Sequence, residues 1–145
     1  MHRNITEQGL ELVKSFEGFR ATPYYCSGNV LTIGFGHAVR QGETFMEITQ
    51  EEGEKLLKDD VGTAERAVLR LTKVPLEDNQ FDALCSWVFN VGSGAMQRSG
   101  LRQKLNRGEY NEVPTELKKW VYAGGKKIKG LMWRREAEAI LFEFM

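Results

Sequence analysis

The sequence predicts an α+β fold in which one small sheet sits among helices. Three observations lead there. A glycine-rich stretch with strand-forming residues is confined to about 20–45, a capped amphipathic pattern long enough for one extended helix follows it, and helical periodicity fills the chain beyond Pro75. Alternating short apolar runs and turn residues mark strands, whereas apolar residues at steps of three and four mark helices.

The first helix is predicted to start at Thr6, whose hydroxyl suits an N-cap, and to carry Leu10, Val13, Phe16 and Glu17 on one face. Gly18 then stops it, so Glu17 closes the apolar stripe and faces the protein body. Between residues 20 and 45, Pro23, Gly28, Gly34, Gly36 and Gly42 punctuate Tyr24, Tyr25, Val30, Ile33 and Phe35. Ser27-Gly28-Asn29 is the expected hairpin tip, placing Cys26 and Thr32 on facing strands. This is the only β region expected. Thr49-Gln-Glu-Glu52 is a capping box, and Leu57, Val61, Ala64, Val68 and Leu71 continue one face. A helix over about 50–72 spans roughly 33 Å at the α-helical rise, enough to join two lobes. Further helices are expected at about 78–91, 99–107, 114–123 and 131–144, with stops at Gly92, Gly108 and Gly124-Gly125 and Pro114 in a first helical turn. The expected organisation is one domain over 1–145. A β-rich lobe at about 18–48 and a helical lobe at about 75–145 plus the 6–17 helix are joined by the 50–72 helix, with a cleft between them.

Bulk properties narrow the function classes. The chain has 145 residues, of which 41% are hydrophobic and 28% charged, typical of a folded domain rather than a disordered or membrane-embedded one. No segment approaches the roughly 18 apolar residues of a spanning helix. The N-terminus lacks the apolar core of a signal peptide, so stable membrane association is not expected. The net charge of zero hides a polarised chain: residues 1–96 carry 9 Lys/Arg against 14 Asp/Glu, and residues 97–135 carry 11 against 3. A basic segment of that density suggests an anionic partner. No nucleic-acid motif accompanies it, which leaves two readings, a solvated positive face and a surface for an anionic polysaccharide. Cys26 and Cys85 are expected to stay unpaired, with Cys85 packed in an apolar helix.

The chemistry lies in Glu17, Cys26 and Thr32. Cleaving a glycosidic bond takes a proton donor on one side of the sugar and a base or nucleophile on the other. A free Glu, with a pKa of about 4.3, is ionised at neutral pH, and partial burial of Glu17 at the helix end is expected to favour its protonated form. A free thiol is only about 3% thiolate at pH 7, so Cys26 needs local activation. It can serve as nucleophile, as base toward water, or as a contact that places the water, and Thr32 can position that water. No Asp or Glu lies between Glu17 and Glu43 to substitute for it. His37, after a tight strand, is expected to satisfy local hydrogen bonds. Phe35, Trp87, Trp120 and Trp133 fall in apolar patterns and are expected in the core.

Glu17-x8-Cys26-x5-Thr32, flanked by Phe16-Glu-Gly-Phe-Arg20 and Thr32-Ile-Gly-Phe-Gly-His37, resembles the Glu, Asp-or-Cys, Thr pattern of bacteriophage lysozymes, glycoside hydrolase family 24. Phe89-Asn-Val-Gly92, Ser99-Gly-Leu-Arg-Gln-Lys-Leu-Asn106 and Gly130-Leu-Met-Trp-Arg-Arg-Glu-Ala-Glu138 are similar to its helical-lobe motifs. The resemblance implies a lysozyme-like two-lobed fold and cleavage of the β-1,4 bond between N-acetylmuramic acid and N-acetylglucosamine in peptidoglycan, without metal or organic cofactor. It implies an endolysin, monomeric and held in the host cytoplasm until a holin opens the inner membrane, then acting on the cell wall. It also implies that Arg134 meets Glu17, with Arg135 the neighbouring alternative. Asn90, before Val-Gly at a helix end, is expected to meet an N-acetyl group across the cleft, and Phe35 and His37 are further candidates to contact or orient the substrate. Two other readings compete. A cysteine-dependent amidase or peptidase would pair Cys26 with His37, and a wall-binding module would keep the fold without catalysis. Gly34-Phe-Gly36 lacks the third glycine and the βαβ setting of a nucleotide loop.

Overall fold

The computed structural model describes residues 2–144. The first helix, α1, runs over Glu7–Glu17, with the Thr6 hydroxyl accepting from the Gly9 N–H and Gly18 closing the far end. Three antiparallel strands follow in the order β1-β2-β3: Arg20–Tyr25, Leu31–Gly34 and His37–Ala38. In this sheet Tyr24 faces Thr32, and Thr32 in turn faces Ala38. The β1–β2 tip closes through Asn29 N–H to the Cys26 carbonyl (2.8 Å) and Cys26 N–H to the Val30 carbonyl (3.0 Å). Asn29 takes the left-handed conformation, φ 60°, which Asn tolerates better than most residues.

The long helix α2 occupies Gln50–Leu71, and its capping box forms as the sequence predicts: Thr49 accepts from the Glu52 N–H while the Glu52 carboxylate accepts from the Thr49 N–H. Beyond it come α3 (Asp78–Val91), α4 (Ser93–Gln97), α5 (Gly100–Asn106), a 3-10 turn (Tyr110–Glu112), α6 (Val113–Leu117) and α7 (Lys129–Glu143). Helix α3 is the centre of the helical lobe and packs on α1, α2 and α7. Its Phe81, Leu84, Cys85 and Trp87 are buried with Met96, Leu101, Leu105 and Leu117 around them. A second, smaller core of Leu10, Val13, Phe35, Leu57 and Val61 joins α1, the turn after β2, and α2. Ile5 and Phe89 pack against both. Both cysteines are free.

Two expectations fail in the C-terminal third. The helix expected over 114–123 ends at Leu117, and a second, two-stranded sheet appears: β4 (Tyr122–Ala123) pairs with β5 (Lys126–Lys127). Gly124 and Gly125, at φ 58° and 79°, form the turn between them. Two successive positive-φ residues are what a tight two-residue hairpin requires, so this pair is a turn rather than a helix stop. The second failure is Trp133, which is 67% exposed instead of buried. The helix α7 turns Arg134, Arg135 and Glu138 inward, while Trp133, Ile140 and Phe144 near its end are exposed. Trp87 is buried and meets the half-buried Trp120 edge-on. No helix among the described residues is long and apolar enough to cross a membrane.

Candidate active site

The last residue of α1, Glu17, enters an open cleft of about 420 Å³ lined by Gly36, Ala38, Val39, Arg40, Asp60 and Phe89. A larger concavity of about 840 Å³, bordered by Glu77, Asp78, Tyr110 and Phe142, contains none of the residues singled out from the sequence. Chemistry, not size, selects the first. The approach at Gly36 is tight: a Cβ there would lie 2.9 Å from Glu17 Oε1, and the residue sits at φ 82°. Glycine at the β2–β3 turn is therefore what lets the sheet close on the carboxylate.

Arg134 Nη1 donates to Glu17 Oε2 at 2.7 Å, and its guanidinium lies 5.8 Å from the centre of the Phe16 ring. Of the two arginines, Arg134 is the partner. Arg135 donates instead to Asn90 Oδ1 (2.9 Å). The sequence expects Glu17 to be partly buried and to meet Arg134, and the Glu17 side chain is 22% exposed and that of Arg134 5% exposed. This arrangement fixes where the carboxyl points.

Cys26 and Thr32 form a second unit on the β1–β2 hairpin. The Cys26 thiol is held below its usual range by the Val30 and Gly28 N–H groups, with burial opposing and the Thr32 hydroxyl adding to the effect. Turn geometry thus provides the local activation that a plain thiol lacks. Thr32 is buried, and its hydroxyl donates to the Val30 carbonyl at 2.8 Å, leaving its lone pairs free to accept. Neither residue lines the Glu17 cleft directly. Thr32 reaches it through its strand partner Ala38, which is part of the cleft wall.

The remaining expectations separate. Phe35 is buried, with Phe19 and Lys14 packed against its ring, and it does not line the Glu17 cleft. His37 is 3% exposed and both ring nitrogens are engaged, Nδ1 with Asp60 Oδ2 (2.8 Å) and Nε2 with Glu43 Oε1 (2.9 Å). It has no nitrogen left for Cys26, which argues against a thiol–imidazole hydrolase. Asn90 is exposed beside Phe89, in reach of a ligand but already bonded to Arg135. Asp60 is the cleft carboxylate that sequence reasoning missed. Its oxygens are bonded to His37 and Arg40 (3.1 Å), so it braces the cleft wall. Its position on α2, a polar residue beside Val61, carried no signal beyond ordinary amphipathicity. Among the described residues no three His, Cys, Asp or Glu side chains are grouped to hold a metal ion.

The His37 clasp has a pH consequence. Burial disfavours the imidazolium, but Glu43 and Asp60 outweigh it and raise the His37 pKa above its ordinary value of 6.5. A raised pKa means that the clasp stabilises the fold fully below the unfolded value and loses that contribution as pH climbs through the folded one. Melting temperature is expected to fall as pH rises from about 6.5 upward, and His37→Gln is expected to flatten that slope. An unchanged slope in the variant would show that His37 is not the titrating group.

A family model described as phage lysozyme matches residues 14–138. The endolysin of Bacillus phage B103 is 43% identical over 141 residues, covering 96% of this chain and 54% of the phage protein. The chain thus spans about half the length of that relative. The endolysin of Acyrthosiphon pisum secondary endosymbiont phage 1 is 41% identical over 146 residues, covering 97% of this chain and 98% of the other. Among solved structures, the muramidase domain of SpmX from Asticaccaulis excentricus superposes with a TM-score of 0.90 at 32% identity, covering all of both chains. The matched span includes Glu17, the hairpin bearing Cys26 and Thr32, and Arg134, and the two-lobed α+β architecture is shared. The chain belongs to the phage lysozyme family.

Proposed function

We propose that this chain is an endolysin acting as an N-acetylmuramidase, with 1–145 as one catalytic domain that hydrolyses the β-1,4 bond between N-acetylmuramic acid and N-acetylglucosamine in peptidoglycan. The observation that carries this reading is Glu17, a cleft carboxyl gripped by Arg134, with the Cys26 thiol and the Thr32 hydroxyl together on the adjoining hairpin. Endolysins and a muramidase domain among the relatives support the same reaction.

Protonated Glu17 gives its proton to the bridging oxygen as the bond from that oxygen to the sugar C1 breaks. A water molecule attacks C1 from the other face. It gives one proton to the Cys26 thiolate and directs its other hydrogen to a lone pair of the Thr32 oxygen. Two polar groups together suit a water molecule better than a sugar carbon, which favours direct attack over a thioglycosyl intermediate. Arg134 keeps the Glu17 carboxyl aimed at the cleft.

Digestion of purified cell wall tests this. New reducing sugar ends, and an inverted anomer at the earliest time points, are the expected result. New free amino groups instead would make the chain an amidase or peptidase, and a retained anomer would move Cys26 to the nucleophile's role. Sedimentation with wall material but no release of fragments would leave only binding. Release through a holin, and action as a monomer, belong to the same proposal. Expression of the chain with and without a holin is expected to give lysis only in the first case.

A further inference from the structure

Helix α7 places a carboxylate where a globular protein seldom leaves one. Glu138 is fully buried, and it touches two guanidiniums on its own helix and a hydroxyl from α3. Its Oε2 accepts from Ser86 Oγ (2.6 Å), Arg134 Nε (3.3 Å) and Arg135 Nη2 (3.3 Å), while Oε1 lies 2.8 Å from Arg135 Nε. Burial raises its pKa above the ordinary carboxylate value, and the charge of Arg135, the Ser86 hydroxyl and the charge of Arg134 reduce that rise without cancelling it. Arginine does not give up its charge in proteins, so an ionised Glu138 is the form that offsets one of the two positive charges.

The two arginines leave Glu138 in different directions. Arg134 reaches Glu17 on α1 and is also tied to α3 through Nη2 to the Ser86 carbonyl (3.1 Å). Arg135 reaches Asn90 at the end of α3, next to the cleft residue Phe89. One buried anion therefore anchors both arms that end at the cleft. Burying an ion cluster is not an economical way to stabilise a core, since apolar residues of similar volume often do as well or better. A role in positioning explains its presence.

We propose that Glu138 is a positioning residue for the hydrolytic reaction: it holds Arg134, and through it Glu17, in the working geometry, and holds Asn90 through Arg135. The inference rests on the reading of Glu17 as proton donor. Ser86 is the supporting contact that keeps Glu138 in place.

Glu138→Gln keeps the shape and removes one negative charge beside two positive ones. The charged groups that then face Glu17 are Arg134 directly and Arg40 and Asp60 across the cleft. Excess positive charge favours ionised Glu17, the form that cannot donate a proton. Glu138→Gln is therefore expected to lower kcat about 10-fold or more with a smaller change in KM. The alkaline limb of the pH–activity profile is expected to move to lower pH, and the Arg134 Nε–H NMR signal to lose its protection from exchange. Ser86→Ala, which keeps every charge, is expected to lower kcat several-fold without moving that limb. A folded Glu138→Gln with the wild-type kcat and alkaline limb overturns the proposal. If Glu138→Gln does not fold, wild-type kcat in Ser86→Ala overturns it, and a reduced kcat with an unmoved limb supports it. Glu17→Gln assayed in parallel separates the two levels: its survival would defeat the reading of the active site, whereas a dead Glu17→Gln beside a wild-type Glu138→Gln defeats only the positioning role.

Discussion

Glu17→Gln is expected to lower the rate of wall lysis by about 10³-fold, within the range for loss of a general acid, while the chain remains folded. The amide is nearly isosteric and can still accept from Arg134, and Arg134 keeps its bonds to Glu138 and Ser86. The local structure therefore has no reason to collapse. What disappears is the proposed proton donor, and the other carboxylate lining the cleft, Asp60, is engaged with His37 and Arg40. A turbidity assay and a thermal melt on the same preparation decide the matter. The melting temperature should stay within about 4 °C of wild type, which corresponds to roughly 1 kcal/mol for a domain of this size. Lysis at a tenth of the normal rate or faster would remove Glu17 from the reaction.

The second large effect is expected at Cys26. Replacement by Ala takes away the proposed proton acceptor, and a fall of about 10²-fold or more is expected for loss of a general base. Replacement by Asp supplies a carboxylate at the same turn, next to the same Val30 and Gly28 N–H groups, and is expected to stay active. The pH profile distinguishes the two groups. The thiol is held below its usual value of 9.0, and activity that needs its thiolate fades as pH falls through the working value. A carboxylate titrates near pH 4, so Cys26→Asp should extend activity into acid by more than one pH unit. If Cys26→Ala matched wild type across the range, the thiol would have no chemical part.

The N-terminal half of the fold was legible because its signals are local. The Thr6 cap, the Thr49–Glu52 box and the hairpin tip at Ser27-Gly28-Asn29 each involve residues a few positions apart, and each appears where its residues predict. The C-terminal third was harder. Strands of two residues are too short to show a period, so β4 and β5 left no trace except the Gly124-Gly125 pair, which also reads as a helix stop. In α7 Trp133 is exposed against expectation, while Arg134, Arg135 and Glu138 are buried beside Ala139, Leu141 and Phe142. The burial of those charged groups depends on Ser86, Asn90 and Glu17, which come from other helices and could not be read from α7 itself. The same reason separates the site residues. The Cys26–Thr32 pairing follows from one hairpin, while the choice of Arg134 over Arg135 as Glu17's partner rested on resemblance alone until the helices were packed.

The ion pair that completes the site joins positions 117 residues apart in the chain. The helix bearing the guanidinium must dock against α3 for the pair to form. A proteolytic cut between the two helices that lets α7 leave is therefore expected to free the Glu17 carboxyl from its guide, even where α1 and the sheet stay folded.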